Sequence, residues 1–497
     1  MSEQIKNERF NFSIKLEKLS TNHYVIYVSV VILLLLIITL SLGRTARWDI
    51  LDHIEMADRF EKFGTLYPSI NEKYLTGSSV YFPGLSFLTI FLKQFIPDWF
   101  IIQTMQLIAC CFLLIFYFVQ KYISKSFFYN LNSIHFFYTS VIYLIFLNYE
   151  WLIYAVEFKA DITAYSIGSL GIIISGVDKD KSTSTISFIL GIILTGIAIL
   201  FKQQYVFFLF GLLFFTILNK KKKLVYFSTI SILISFSIIF LLKFNSNTWY
   251  WTVKVLSDDG FLSIKEWLIS QKELIITYII GLIGFISLLL LKVYKLPTQR
   301  FKISSIKNII KSNIWFSVMI FVFLGSLISS LKTGANSGNT SFGLVILLPL
   351  ALYFFNNLKV KQLFVLSLLI FFTKVPILLY SNFKHYLTIQ EFSNSVEKKI
   401  NMKGVKILTG SDVYFATRKV RIGNEIANYW MYSLIDNTSV SSQLNKIIRS
   451  NEYNYIIVEN WPDNYQSIIN SVSYKILFKN EIGILAVRNV NSQIINE

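Results

Sequence analysis

The chain has 497 residues, of which 54% are hydrophobic and only 15% charged, and its formal net charge is +18. Soluble domains carry about a quarter charged residues, and here the apolar residues fall in long uncharged blocks rather than in periodic stripes. A water-soluble enzyme, a secreted disulfide scaffold and a disordered protein are excluded, and the chain reads as an all-α polytopic membrane protein.

A spanning helix needs ~20 apolar residues. Eleven spans are predicted, near 24–43, 99–119, 132–149, 161–177, 184–201, 203–219, 224–242, 273–291, 313–331, 342–356 and 361–380. The first is too long and uninterrupted for a signal-peptide core and is read as a membrane helix. Cys110 and Cys111, the only two cysteines, are adjacent inside the second block and read as small core residues. No Cys/His spacing suits a structural zinc ion.

Orientation follows from lysine and arginine in the loops. The amino-terminal tail carries Lys6, Arg9, Lys15 and Lys18. Alternate loops carry Lys121/Lys125, Lys179/Lys181, the run Lys220–Lys223, six basic residues between Lys292 and Lys311, and Lys359/Lys361. The largest intervening loop, 44–84, balances five basic residues with six acids. The amino terminus is therefore expected in the cytoplasm and the carboxy terminus outside. The basic excess is a topology signal, and no nucleic-acid partner is expected; the bilayer is.

The domain reading is a cytoplasmic tail over 1–23, a membrane module over 24–381 and an extracytoplasmic domain over 382–497. A second outward loop, 244–272, holds Trp249, Tyr250 and Trp251. The last domain alternates strand-like runs (Val405–Leu408, Tyr455–Val458, Tyr474–Phe478, Gly483–Val487) with helical stretches around 386–400 and 437–449. It reads as a small α/β domain. Its Tyr429, Trp430, Trp461 and Tyr465 suit either core packing or carbohydrate stacking.

The residues able to carry chemistry cluster at outward ends of spans. In loop 44–84, Ile50, Ile54 and Ala57 share one helical face and Asp52, Glu55, Arg59 and Lys62 the opposite one. That pattern predicts an amphipathic helix along the outer membrane surface, with Asp52 and Glu55 on its solvated face. Asp49 and His53, four apart, fall together on the flank. Asp49 suits either an N-cap or a catalytic acid or base, and His53 a hydrogen-bonding partner. Beyond lie Gly64-Thr65-Leu66-Tyr67-Pro68 and Tyr81-Phe82-Pro83-Gly84, the latter leading into the next helix.

Asp161 begins a span as a cap or a functional carboxylate, and Lys159 in the same turn is placed to pair with it or to hold an anion. Lys202-Gln203-Gln204-Tyr205 forms another outer turn. In a third, 332–339, Lys332, Asn336 and Asn339 can hydrogen-bond a sugar or phosphate, or serve an ordinary turn. Mid-span positions are almost free of ionisable groups, whereas an ion-coupled transporter keeps such groups near the midplane.

These residues resemble a known family. An acidic residue after the first span, a surface helix with alanine eight residues on, Gly-x-x-Tyr and Tyr-x-Pro-Gly form the opening pattern of integral-membrane GT-C glycosyltransferases. Asp49, Ala57, Gly64, Tyr67 and Tyr81-Phe82-Pro83-Gly84 match it in order. Lys159-Ala160-Asp161 is similar to the family's basic-x-Asp motif, and the trailing α/β domain suits the protein mannosyltransferase and aminoarabinose transferase branch.

The resemblance implies a GT-C fold and transfer of a sugar from a polyprenyl-phosphate donor to a cell-envelope glycan, glycolipid or protein outside the cytoplasmic membrane. It implies Asp49 as the base on the acceptor hydroxyl, with Asp161 second, and an inverting displacement. The leaving phosphate calls for a cation, either protein side chains or a divalent metal ion. Aminoarabinose-transferase-like members carry Glu-Lys where this chain has Tyr81 and Phe82. The phosphate contact is therefore expected from Arg47, Lys159, Lys202 or Lys332, with His53, Tyr81, Gln203, Asn336 and Asn339 as further substrate contacts. An O-antigen-type polymerase or ligase and a lipid-linked glycan transporter are the alternatives.

Overall fold

The computed structural model describes residues 48–72, 83–97, 100–127, 133–143, 160–176, 184–244, 246–254, 263–265, 282–290, 303–331, 351–352, 358–400, 403–410, 424–429, 439–471 and 473–489, with isolated positions 267, 279, 355, 413, 432 and 436. The spans expected at 24–43 and over most of 342–356 lie outside the described residues.

The helical body comprises α1 (Trp48–Phe63), α2 (Gly84–Lys93), α3 (Ile101–Phe127), α4 (Ser133–Ile142), α5 (Ala160–Ser175), α6 (Thr185–Phe201), α7 (Val206–Asn219), α8 (Leu224–Phe244), α9 (Ile303–Ser312), α10 (Ile314–Ser330) and α11 (Val360–Lys399). Among the described residues α3 alone is both long and apolar enough to cross a membrane; the other apolar helical stretches run 10–17 residues. The count of eleven spans is thus an expectation from sequence. Large apolar side chains such as Leu107, Phe118, Phe236, Phe240 and Phe372 stand exposed on the body, a surface suited to lipid rather than water. Cys111 is exposed too, not a core residue as expected.

Small residues set the closest packing in the body. α5 and α6 run antiparallel, and a Cβ on Gly171 would come within 2.7 Å of the Gly191 carbonyl oxygen. Only bare backbone permits that approach, and without a strong hydrophobic drive in lipid such close packing is what joins helices. The start of α5 and the end of α6 are thereby held at the same end of the body. α3 joins this pair through Gln120, whose amide donates to the Tyr165 hydroxyl at 2.6 Å, and through Ser166, which donates to the Phe112 carbonyl at 3.1 Å.

The carboxy-terminal part holds a five-stranded sheet in the order β2-β1-β3-β5-β4. Its strands are β1 (Lys406–Thr409), β2 (Glu425–Asn428), β3 (Tyr455–Glu459), β4 (Tyr474–Lys479) and β5 (Gly483–Arg488). β1 pairs parallel with β2 and β3, and β5 pairs antiparallel with β3 and β4. Alternation along each strand sends Ile407, Ile457 and Leu485 to one face and Leu408, Ile456 and Ile484 to the other.

The first face is covered by Phe392, Val396 and Ile400 of α11. Leu444 and Ile448 of α12 (Val440–Ser450) and Ile468 of α13 (Pro462–Ile469) cover the second. All four expected strands are present. The sequence pattern missed β2 and α13, and it divided at residue 381 what is one continuous 40-residue helix, α11. That helix runs past Pro376 and supplies part of the sheet's core. Tyr429 belongs to that core as well, while Trp461 is partly exposed.

Candidate active site

α1 carries the first cluster. Ile54, Met56 and Ala57 are buried, as the apolar face requires, and Phe60, Glu61, Lys62 and Phe63 are exposed. The opposite face departs from expectation: Glu55 and Arg59 are buried at 2% and 3% exposure rather than solvated. For Arg59 the cause is the chain that follows α1, which folds back over it. The Arg59 guanidinium pairs with the Glu72 carboxylate, lies 3.4 Å from the Thr65 hydroxyl and sits over the Phe63 ring. Asp49 falls in the first turn of α1. A carboxylate there still complements the positive end of the helix.

α2 locks against α1 at two levels. Lys93 Nζ meets Asp58 Oδ1 and Glu61 Oε2, each at 2.6 Å, on the outer flank. Deeper, His53 Nδ1 lies 3.0 Å from Ser86 Oγ, and that hydroxyl donates to Met56 Sδ at 3.3 Å. His53 is 2% exposed. Burial pushes its pKa down from 6.5 to about 3, so the imidazole is neutral at physiological pH.

The second cluster forms where α5 begins and α6 ends. Asp161 Oδ1 accepts from Lys202 Nζ at 2.6 Å, with both side chains 6% exposed. Lys202, at the end of α6, is thus a partner of Asp161. Antiparallel packing explains the pairing, because it brings residue 202 beside residue 161. The 3-10 turn Gln203–Tyr205 follows, half-burying Gln203, and the Tyr205 hydroxyl donates to the Asp161 carbonyl at 2.8 Å.

The two clusters meet through α2. A Cβ on Gly84 would lie 2.6 Å from the Leu200 carbonyl oxygen and 3.1 Å from Phe201 nitrogen, so the start of α2 abuts the backbone end of α6. Ile54 of α1, Leu85 of α2 and Ala160 beside Asp161 form one buried apolar cluster with Ile101, Met105 and Ala109 of α3, and Phe201 packs on it. The glycine of Tyr81-Phe82-Pro83-Gly84 thus has a packing reason that its loop-to-helix position alone did not reveal.

A third contact brings in residue 251 and the sheet domain. Trp251 is fully buried; its indole N–H donates to the Pro68 carbonyl at 2.8 Å, and it packs with Met56, Leu66 and Tyr67. Tyr432 of the sheet domain packs on the same cluster. Of the expected site residues, His53, Asp161, Lys202 and Gln203 are brought to this end of the body, and Asp49 lies on the same helix as His53. Arg47, Tyr81, Lys159, Lys332, Asn336 and Asn339 lie outside the described residues. No group of three metal-ligating side chains occurs among the described residues.

No protein-family model and no curated protein sequence matches the chain. Solved structures do match: ArnT from Cupriavidus metallidurans, crystallised bound to undecaprenyl phosphate and in the apo state. The TM-scores are 0.58 and 0.56 at 12% identity, covering 95% and 93% of this chain and 99% and 98% of ArnT. The chain therefore shares the ArnT fold, a GT-C fold, over nearly its whole length.

Proposed function

We propose that this ArnT-like fold is a membrane glycosyltransferase that takes a sugar from a polyprenyl-phosphate carrier and passes it to a cell-envelope acceptor on the outer side of the cytoplasmic membrane. The observation that carries this reading is convergence. The Asp49–His53 helix, the Pro83-Gly84 turn, Asp161 and Lys202 are far apart in sequence, yet they assemble around one apolar cluster at one end of the helical body. The ArnT crystal structure bound to undecaprenyl phosphate supports a lipid-phosphate ligand for a chain of this fold.

Asp49 removes the acceptor hydroxyl proton as that oxygen attacks the anomeric carbon. The bond between that carbon and the phosphate oxygen breaks on the opposite side, its electron pair leaves with the polyprenyl phosphate, and the configuration inverts. Asp161 is the weaker candidate for the base, because its carboxylate already accepts from the Lys202 ammonium. Its part is to hold Lys202, one of the cations proposed to meet the developing phosphate charge with Arg47, Lys159 and Lys332. Gln203, Tyr81, Asn336 and Asn339 are proposed as sugar or phosphate contacts.

A transfer assay in proteoliposomes with a panel of polyprenyl-phosphate sugars tests the reading. Wild-type protein should consume a donor, and Asp49→Asn, similar in size and still folded, should lose that activity. Consumption of no donor would sink the glycosyltransferase reading in favour of a polymerase or a transporter. Equal consumption by both proteins would move the base to Asp161.

A further inference from the structure

The end of the helical body remote from Asp161 and Lys202 gathers positive charge. α7 leaves the Gln203–Tyr205 turn and ends at Asn219. α10 runs antiparallel beside it: a Cβ on Gly211 would lie 2.6 Å from Val318 Cα, and Gly325 faces the Phe207 ring. The run Lys220–Lys223 therefore falls beside the start of α10. There Asn313 Nδ2 donates to Ser126 Oγ at 3.1 Å, which brings in the end of α3. His135, at the start of α4, donates from Nε2 to the Phe355 carbonyl at 2.8 Å, just ahead of α11. These helix ends and the end of α9 carry Lys125, Lys220, Lys222, Lys223, Lys311 and Lys359; Lys125, Lys222 and Lys359 are exposed and the others partly so. No aspartate or glutamate occurs in 120–135, 203–243, 292–315 or 343–385. Asp178 and Asp180, between α5 and α6, are matched by Lys179 and Lys181.

At Lys223 this charge meets the apolar surface of the body. The Lys223 ammonium stands 5.1 Å from the centre of the Phe188 ring, near the start of α6, and α8 begins at the next residue. Further along, Ile234 of α8 packs against Gly196 of α6, so the two helices run parallel from the lysines toward the other end. Beside the lysines Ile186 and Val225 are each 70% exposed, and Leu190, Tyr226, Ile232 and Leu233 continue the exposed surface along both helices. Burial and the neighbouring Lys220 charge push the Lys223 pKa below its ordinary value.

Clustered cations above a continuous apolar surface match an amphiphile with an anionic head. A soluble acidic partner would meet the lysines but leave the apolar side chains against water. A neutral lipid would cover those side chains and leave the lysine charges crowded. We propose that Lys220, Lys222 and Lys223 bind the phosphate headgroup of an anionic phospholipid, whose acyl chains lie on Ile186, Leu190 and Val225. The lipid belongs to the leaflet remote from Asp161 and Lys202; on the orientation expected from the loop charges, that is the cytoplasmic one. This seat uses none of the residues of the glycosyltransferase reading and stands or falls apart from it.

Full-length protein, delipidated in detergent, is titrated with dioleoylphosphatidylglycerol and with dioleoylphosphatidylcholine, and bound lipid is counted by native mass spectrometry. Wild type should hold one phosphatidylglycerol at least about tenfold more tightly than phosphatidylcholine, each lysine adding roughly a fivefold preference. Lys220→Gln/Lys222→Gln/Lys223→Gln should bring the ratio close to parity, and the corresponding triple arginine variant should keep it. Lys359→Gln/Lys361→Gln, at the start of α11, should keep it too. Lys222→Glu, a single change at an exposed position, should lower the ratio whether or not the triple glutamine variant folds.

Equal affinity of wild type for both lipids overturns the proposal, as does an unchanged ratio in Lys222→Glu. An equal loss in the α11 variant would show general attraction by this end of the body and no seat between α6 and α8. Displacement of phosphatidylglycerol by inorganic phosphate at similar concentration would mean an anion site without an apolar part. Tighter binding of undecaprenyl phosphate, lost in the same glutamine variant, would give the seat to a polyprenyl lipid. Each of these three results also overturns it.

Discussion

Lys202 Nζ stands 2.6 Å from Asp161 Oδ1, joining residues that 41 positions of chain separate, and both groups are nearly sealed from solvent. Removing one partner of a buried pair strands the other charge at about 3–5 kcal/mol, whereas replacing both with apolar residues is often neutral. Lys202→Met should therefore lower the thermal unfolding midpoint in detergent more than the Asp161→Leu/Lys202→Met double variant does. Both should lose sugar transfer if Lys202 meets the donor phosphate. A double variant as unstable as the single would show that the pair's hydrogen bonds, not its charge balance, hold the α5–α6 end together.

Gly84 supplies a second test of the same junction. A methyl group there would sit 2.6 Å from the Leu200 carbonyl oxygen and 2.9 Å from its carbon, and neither backbone atom can rotate away. Gly84→Ala must push α2 back from the end of α6, moving Ser86 and His53 relative to Lys202. Misplacement of about 1 Å can cost ~100-fold in rate. The expected result is a fall in kcat of at least about tenfold with the folded state retained, measured by transfer kinetics beside circular dichroism. Unchanged kcat would mean that the two clusters need no fixed relation.

The helical body and most of the sheet were legible because uncharged blocks and period-two runs are local signals. The site was legible only as separate clusters. Asp49, His53, Asp161 and Lys202 were each visible as polar residues near the ends of predicted spans, but the pairing of Asp161 with Lys202 was not foreseen. Choosing Lys202 depends on Gly171 meeting Gly191, a contact between helices that no single-helix period encodes. Glu55 was read as solvated, and Arg59 was placed on the same polar face, for a related reason. The periodicity of α1 was right, but the segment through Glu72 covers Arg59 on its polar face. β2 escaped notice because Glu425–Asn428 is four residues long and begins with a charge.

The buried imidazole of His53 makes a pH prediction. Its pKa is about 3 when folded and about 6.5 when unfolded, so below pH 6.5 the unfolded chain binds a proton that the folded chain refuses. Its contribution is fully present above pH 6.5 and is lost as pH falls toward 3, at about 1.4 kcal/mol per unit. Unfolding midpoints between pH 7 and pH 4 should therefore fall less steeply in His53→Gln than in wild type. Parallel slopes would mean that the ring gains solvent or a counter-charge in the membrane-bound protein.

Tyr432 links the sheet domain to the helical body. It packs on the sheet core beside Tyr453, its hydroxyl 3.5 Å from that of Tyr453, and also on the cluster of Met56, Tyr67 and Trp251. Through Met56 that cluster touches the Ser86 hydroxyl and hence His53. Truncating Tyr432 to alanine removes the bridge while leaving Leu444, Ile456 and Ile484 to hold the sheet. Hydrogen exchange should speed up across 66–68 and 250–252 in Tyr432→Ala, with β1, β3 and β5 still protected. Transfer should slow through a higher KM for the acceptor, because the segments around the site are no longer clamped together. Should the strands lose protection as well, Tyr432 would be a core residue of the domain and not a joint. If neither region changes, the segments 66–68 and 250–252 are held without help from the sheet domain.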